Sequence, residues 1–151
     1  MLKEFVQDKH CIFFEEAENW QDAIRKSCQP IIADGTVEAQ YAEDIVRCVE
    51  KYGPYIILVP GVAMPHSSEG GELVHKTCIT FMKLQKPVSF DDNDPSKSAD
   101  LFFTLAACNS EEHLKNMQAL SEVLMNEELL EELHQIQGEE DLMRLGDKYH
   151  L

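Results

Sequence analysis

The sequence predicts an α/β fold, a mixed β-sheet flanked by helices on both sides, and three features carry that expectation. Amphipathic helical spacing fills residues 20–52, strand-like runs follow from Tyr55 to Ala107, and helical stripes return from Asn109 to Leu145. Helices, then strands, then helices read as a sheet with helices packed against it.

The elements follow in order. Cys11-Ile12-Phe13-Phe14-Glu15 reads as a short first strand, and Trp20, Ala23, Ile24 and Cys28 lie at helical spacing. Pro30 kinks or ends that helix, unless Ile31-Ile32-Ala33 continue the turn. Thr36 is placed to N-cap the next helix, with the Glu38 carboxylate in a first turn that favours negative charge. Ala39 leaves the capping box incomplete. Tyr41, Ile45, Val49 and Tyr52 mark the buried face, and Gly53-Pro54 stops the helix. Short strands are expected at Tyr55–Val59 and, beyond Pro60-Gly61, at Val62–Met64. A polar loop, Ser67–Glu72, precedes a longer strand at Val74–Leu84, and a turn at Gln85-Lys86-Pro87 leads to Val88–Phe90. Asp91–Lys97 carries turn residues throughout and reads as a surface loop, whereas the apolar run Leu101–Ala107 suits a strand covered on both faces. Asn109 or Ser110 caps a helix with the stripe Leu114, Met117, Leu120 and Leu124. Asn126 caps another containing Leu129, Leu130 and Leu133, and Gly138 separates it from a last helix with Leu142, Met143 and Leu145.

The 151 residues are expected to form one domain, 1–151, with a globular composition of 44% hydrophobic and 27% charged residues. The longest apolar runs are too short to span a bilayer, and Met1–Phe5 lacks the features of a signal peptide. A cytoplasmic protein without direct membrane insertion is therefore expected. Five cysteines, odd in number and without a CxxC pair, read as small buried hydrophobes in a reducing compartment. A net charge of −15 repels phosphate backbones, which disfavours nucleic-acid binding and suits a partner with a basic or amphipathic face.

The chemistry concentrates at Pro60-Gly61-Val62-Ala63-Met64-Pro65-His66-Ser67-Ser68. Pro65 forces Met64 into extended backbone, so a strand runs directly into the His66 turn. Ser67, Ser68, Gly70 and Gly71 offer small side chains and free N–H groups that can cradle an anion beside the imidazole. A neutral ring nitrogen, a fixed orientation and donors for phosphate oxygens are what a phosphoryl acceptor needs. His113 lies in the first turn of the helix capped at Asn109 or Ser110, where an anion is favoured. If it meets His66, one ring accepts the phosphoryl group and the other supports its oxygens. His75 is a weaker third candidate and is expected at the surface; His10, His134 and His150 have no supporting context. A metal site on His66, His75 and His113 lacks an HxH or HxxxH pattern and a carboxylate triad, so no metal is expected.

Gly53-Pro54-Tyr55, Pro60–His66 and Asn109–His113 resemble the EIIA components of the phosphoenolpyruvate-dependent sugar phosphotransferase system, mannitol/fructose type. The wording around His66, with Lys86-Pro87-Val88, Asn93-Asp94-Pro95 and Leu101–Ala107, is most similar to the ascorbate-specific branch. The resemblance runs from Trp20 to about Leu145 and implies a mixed sheet flanked by helices. It implies that His66 accepts a phosphoryl group from the phosphocarrier HPr and passes it to an EIIB component, whose permease takes up L-ascorbate or a related compound. His113 corresponds to the family's second histidine. No cofactor is implied, because transfer between two protein histidines rests on positioning and charge. Mannitol-specific relatives have an upstream arginine at the site, and Arg47 lies only near that position. Ser67 and Ser68 are the phosphate-binding candidates in its place. The alternative within the family is a regulatory protein that binds a target according to its phosphorylation state.

Overall fold

Along the chain the elements are α1 (Leu2–Gln7), β1 (Cys11–Phe14), α2 (Trp20–Ala33), α3 (Gln40–Tyr52), β2 (Ile57–Val59), β3 (Gly61–Ala63), β4 (Cys78–Ser89), β5 (Ser98–Ala106), α4 (Ser110–Leu124), α5 (Glu127–Leu133) and α6 (Glu139–Tyr149). This computed structural model describes residues 1–67 and 71–151. The strands form one mixed sheet in the order β1-β4-β5-β3-β2. The outer strand β1 and the inner β3 run parallel to β4 and β5 respectively, while β4–β5 and β2–β3 are antiparallel.

Alternation along β5 builds a core on each face of the sheet. Phe102 and Ala106, with Met82 and Leu84 of β4, pack under Ala23, Ile24, Cys28 and Ile31 of α2 and Ile45 and Val49 of α3. Leu101, Phe103 and Leu105, with Phe81, pack against Leu2 and Phe5 of α1, Leu120 and Val123 of α4, Leu129 and Leu133 of α5, and Leu142 and Leu145 of α6. Helices therefore flank both faces, and β5 is buried almost end to end. Its one buried hydroxyl, Thr104, donates to Ser27 on α2, which donates to the Ile24 carbonyl. Among the described residues, no helix is long and apolar enough to cross a membrane.

Several expectations are corrected. Thr36 does not cap α3. The Glu38 N–H donates to the Leu73 carbonyl and the His75 N–H to that of Thr36, so residues 36–38 are held extended against 73–75. The helix starts at Gln40 after Ala39, which makes no side-chain cap. Val74 belongs to that bridge with Val37, so β4 begins only at Cys78. No turn breaks residues 85–87. Pairing with β5 continues to Ser89, and the surplus residues are absorbed as a register shift between Lys83 and Val88. Pro30 neither ends nor splits α2, which runs to Ala33 and closes with Asp34 and Gly35 donating to the Pro30 and Ile32 carbonyls. Tyr52 and Leu114 are exposed, although both sit at stripe positions. The sequence reading also missed α1, whose six residues are too few to display a period.

Candidate functional site

The strand that carries His66 is fixed on both sides before it reaches the ring. Met64, buried, donates its N–H to the Ile56 carbonyl at 2.9 Å, and the Leu105 N–H donates to the Pro65 carbonyl at 2.9 Å. The second bond extends the β3–β5 pairing past the end of β3, so His66 emerges at the carboxyl edge of the sheet. Its Nδ1 lies 2.7 Å from the Met64 carbonyl oxygen. A carbonyl only accepts, so Nδ1 carries the proton and Nε2 presents a bare lone pair. The Tyr55 hydroxyl donates to the carbonyl of His66 itself at 2.5 Å, and the two rings stand perpendicular with centroids 5.2 Å apart.

The structure brings His113 to this ring, with centroids 5.3 Å apart and planes inclined by 37°. The helix beneath it begins where the sequence places it. Asn109 is the cap, its side-chain oxygen accepting from the Glu112 N–H at 2.9 Å, and Ser110 is the first helical residue. The start of the helix is tied to the residue that precedes β4, Thr77, which donates to the Glu112 carboxylate and accepts from the Cys108 N–H at 3.1 Å. Leading N–H groups of a helix have no intrahelical acceptor and favour an anion in front of them.

Between these groups lies an open cavity of about 340 Å³, lined by Tyr41, His66, Ser67, Gly71, Cys108, Asn109, Ser110 and His113 among others. Burial holds His66 below the ordinary imidazole value and the charge of His113 adds to the effect, while the bond to Met64 works the other way. The neutral ring is thereby favoured. A neutral nitrogen nucleophile beside a second imidazole and a helix N-terminus can accept an electrophilic phosphorus and hold its oxygens.

Ser67 lines the cavity; its N–H points to the Tyr41 hydroxyl at 3.5 Å, and that hydroxyl donates to the Leu105 carbonyl at 2.6 Å. Ser68 and Gly70 lie outside the described residues. The third histidine is elsewhere: His75 is exposed and pairs with Glu38 at 3.3 Å. Among the described residues, no three His, Cys, Asp or Glu side chains are placed to hold a metal ion. Arg47 turns to Asp44 and lines a neighbouring cavity that shares Ser67, rather than the one between the histidines.

Three neighbours of the site were not assigned a role from sequence. Tyr55 stood in the Gly-Pro-Tyr segment without a function, Tyr41 read as core, and Cys108 read as a buried hydrophobe. Cys28 and Cys48 are buried as expected, and burial pushes the Cys28 and Cys78 thiols up to about 12. Cys108 is exposed instead, because it precedes the cap of α4 at the cavity wall.

The fold and its helical layers are those of the mannitol-type enzyme IIA proteins. The mannitol-specific cryptic phosphotransferase enzyme IIA CmtB of Escherichia coli superimposes with a TM-score of 0.81 at 32% identity, covering 93% of each chain. The mannitol IIA of Escherichia coli gives a TM-score of 0.77 at 25% identity, covering 91% of this chain and 95% of that one. The chain belongs to the EIIA 2 family of the phosphoenolpyruvate-dependent sugar phosphotransferase system, whose model matches residues 5–148. Ascorbate-specific EIIA components are similar along most of its length. That of Shigella boydii is 35% identical and that of Escherichia coli K12 34% identical, each over 136 residues spanning 88% of this chain and 86% of the relative.

Proposed function

We propose that residues 1–151 act in the cytoplasm as one phosphoryl-carrier domain in which Nε2 of His66 accepts a phosphoryl group from phospho-HPr. The new bond forms between Nε2 and phosphorus as the donor histidine's nitrogen–phosphorus bond breaks, and the reverse exchange hands the group to an EIIB component. His113 and the leading N–H groups of α4 support the phosphoryl oxygens, with the Ser67 and Ser68 hydroxyls as further donors. The observation that carries this reading is the Nδ1–Met64 contact of 2.7 Å, which leaves Nε2 bare beside a second imidazole. Similarity to ascorbate-specific components supports L-ascorbate or a related compound as the sugar of the cognate permease.

The test is phosphorylation with phosphoenolpyruvate, enzyme I and HPr, followed by intact mass. Wild type should gain one acid-labile phosphoryl group, His66→Ala none, and His113→Ala should gain it but pass it on slowly. An unmodified wild type in the presence of fully phosphorylated HPr would overturn the proposal. The regulatory alternative shares this first step and differs in the recipient, so adding the cognate EIIB separates the two.

A further inference from the structure

We propose that Tyr55 is a positioning residue that keeps Nδ1 of His66 on the Met64 carbonyl and so keeps Nε2 bare. The inference rests on the reading of His66 Nε2 as the acceptor and adds the group that sets its orientation.

Tyr55 is delivered to the site by the way α3 ends. Gly53, with φ of +81°, donates to the Val49 carbonyl at 2.8 Å, and the Tyr55 N–H then donates to the Gly53 carbonyl at 2.8 Å. Positive φ suits glycine, and the tight reversal throws the chain back along the strand that bears the histidine. The Ile56–Met64 bond lays residues 55–56 beside 64–66. From there Tyr55 holds His66 twice. Its hydroxyl donates to the His66 carbonyl, and its ring stands against the imidazole at right angles.

The Nδ1–Met64 bond alone is a weak constraint. It spans Pro65, whose φ is fixed, but the backbone of His66 and the two torsions of its side chain remain free to turn the ring off the carbonyl. A ring released from that acceptor has no fixed tautomer, and the share of molecules with Nε2 unprotonated falls. Anchoring the His66 carbonyl removes the backbone rotation, and the perpendicular aromatic wall removes side-chain rotation toward it. The Tyr55 hydroxyl is given to the main chain of His66. It acts through His66.

The experiment uses the full chain labelled with ¹⁵N. Two-bond ¹H–¹⁵N spectra report which His66 nitrogen carries the proton, and phosphoryl uptake from phospho-HPr is timed in parallel. Tyr55→Phe removes only the hydroxyl, and Tyr55→Leu removes the ring as well. Wild type should show the Nδ1–H tautomer alone. Tyr55→Phe should show both tautomers and take up phosphoryl about fivefold more slowly, the scale of one lost hydrogen bond. Tyr55→Leu should be slower still. A Tyr55→Phe protein with the wild-type tautomer and wild-type uptake overturns the inference. The tautomer readout needs no phosphoryl donor. Mixed tautomers in Tyr55→Phe with no uptake by wild type would support the positioning role and reject the carrier reading.

Discussion

Replacing Asp100 by Asn tests whether an ionic cluster inside the sheet is held together by its carboxylate. Lys83 on β4 is 1% exposed, and its ammonium donates to Asp100 at 3.1 Å and to the Leu84 carbonyl at 2.8 Å. Asp100, also buried, accepts from Nδ1 of His134 at 2.7 Å. Removing one partner of a buried ion pair strands the other, at a cost of about 3–5 kcal/mol. Asn keeps one acceptor and the Leu84 carbonyl stays in place, so the lower end applies, about 3 kcal/mol. For a chain of this size that is a Tm drop of roughly 6–12 °C. Urea unfolding followed by Trp20 fluorescence reads the loss directly, with an unchanged m-value as the check on two-state behaviour. The indole stacks on Phe90 at 5.7 Å and reports native packing. Lys83→Met combined with Asp100→Leu replaces both charges by apolar groups and should recover most of the loss. Phosphoryl uptake should survive, since Asp100 sits about 17 Å along β5 from Leu105 at a strand rise of ~3.3 Å. A single variant within 1 kcal/mol of wild type, or a double variant no better than the single, would refute the reasoning.

Other expectations are equally direct. Gly61 has φ of +88°, and a Cβ there would stand 2.8 Å from Cε1 of His134. Gly61→Ala should therefore cost about 2–3 kcal/mol in urea unfolding, with a loss below half a kcal/mol counting against it. Asn109→Ala removes the α4 cap and should cost about 1 kcal/mol, together with slower phosphoryl uptake. His66 should titrate by NMR below the usual 6.5, and further upward in His113→Ala, which removes a repelling charge and part of the burial. Because the unfolded chain takes up this proton first, His66 lowers stability as pH falls through 6.5 and has no effect well above it. A midpoint at or above 6.5 would contradict the desolvated geometry.

What could be read in advance was what lies within a few neighbouring residues. The Met64-Pro65-His66 step, the Asn109 cap and the apolar run of β5 each depend on local stereochemistry or a short period, and each appears where expected. Ion pairs across sequence were illegible. His10 meets Asp34 at 2.7 Å and His134 meets Asp100, yet neither histidine has a telling neighbour in the chain. Thr36 shows the opposite failure: it carries a local capping signal, but a bridge to residues 73–75 holds the backbone extended there. The second histidine was a candidate through its cap and through the family resemblance, and its approach to His66 comes from the fold.

That approach makes the site indivisible. Val62 of β3 pairs with Leu101 of β5, with the whole of β4 lying between them in sequence. Pairings of this kind are high in contact order and close large loops before they repay the entropy. A chain ending at Phe90 would hold His66 and the Met64 carbonyl, but not the Leu105 N–H that secures Pro65 or the helix that carries His113. Completing the sheet and assembling the two histidines are thus a single event, so the pair of rings reports on the folding of everything between them.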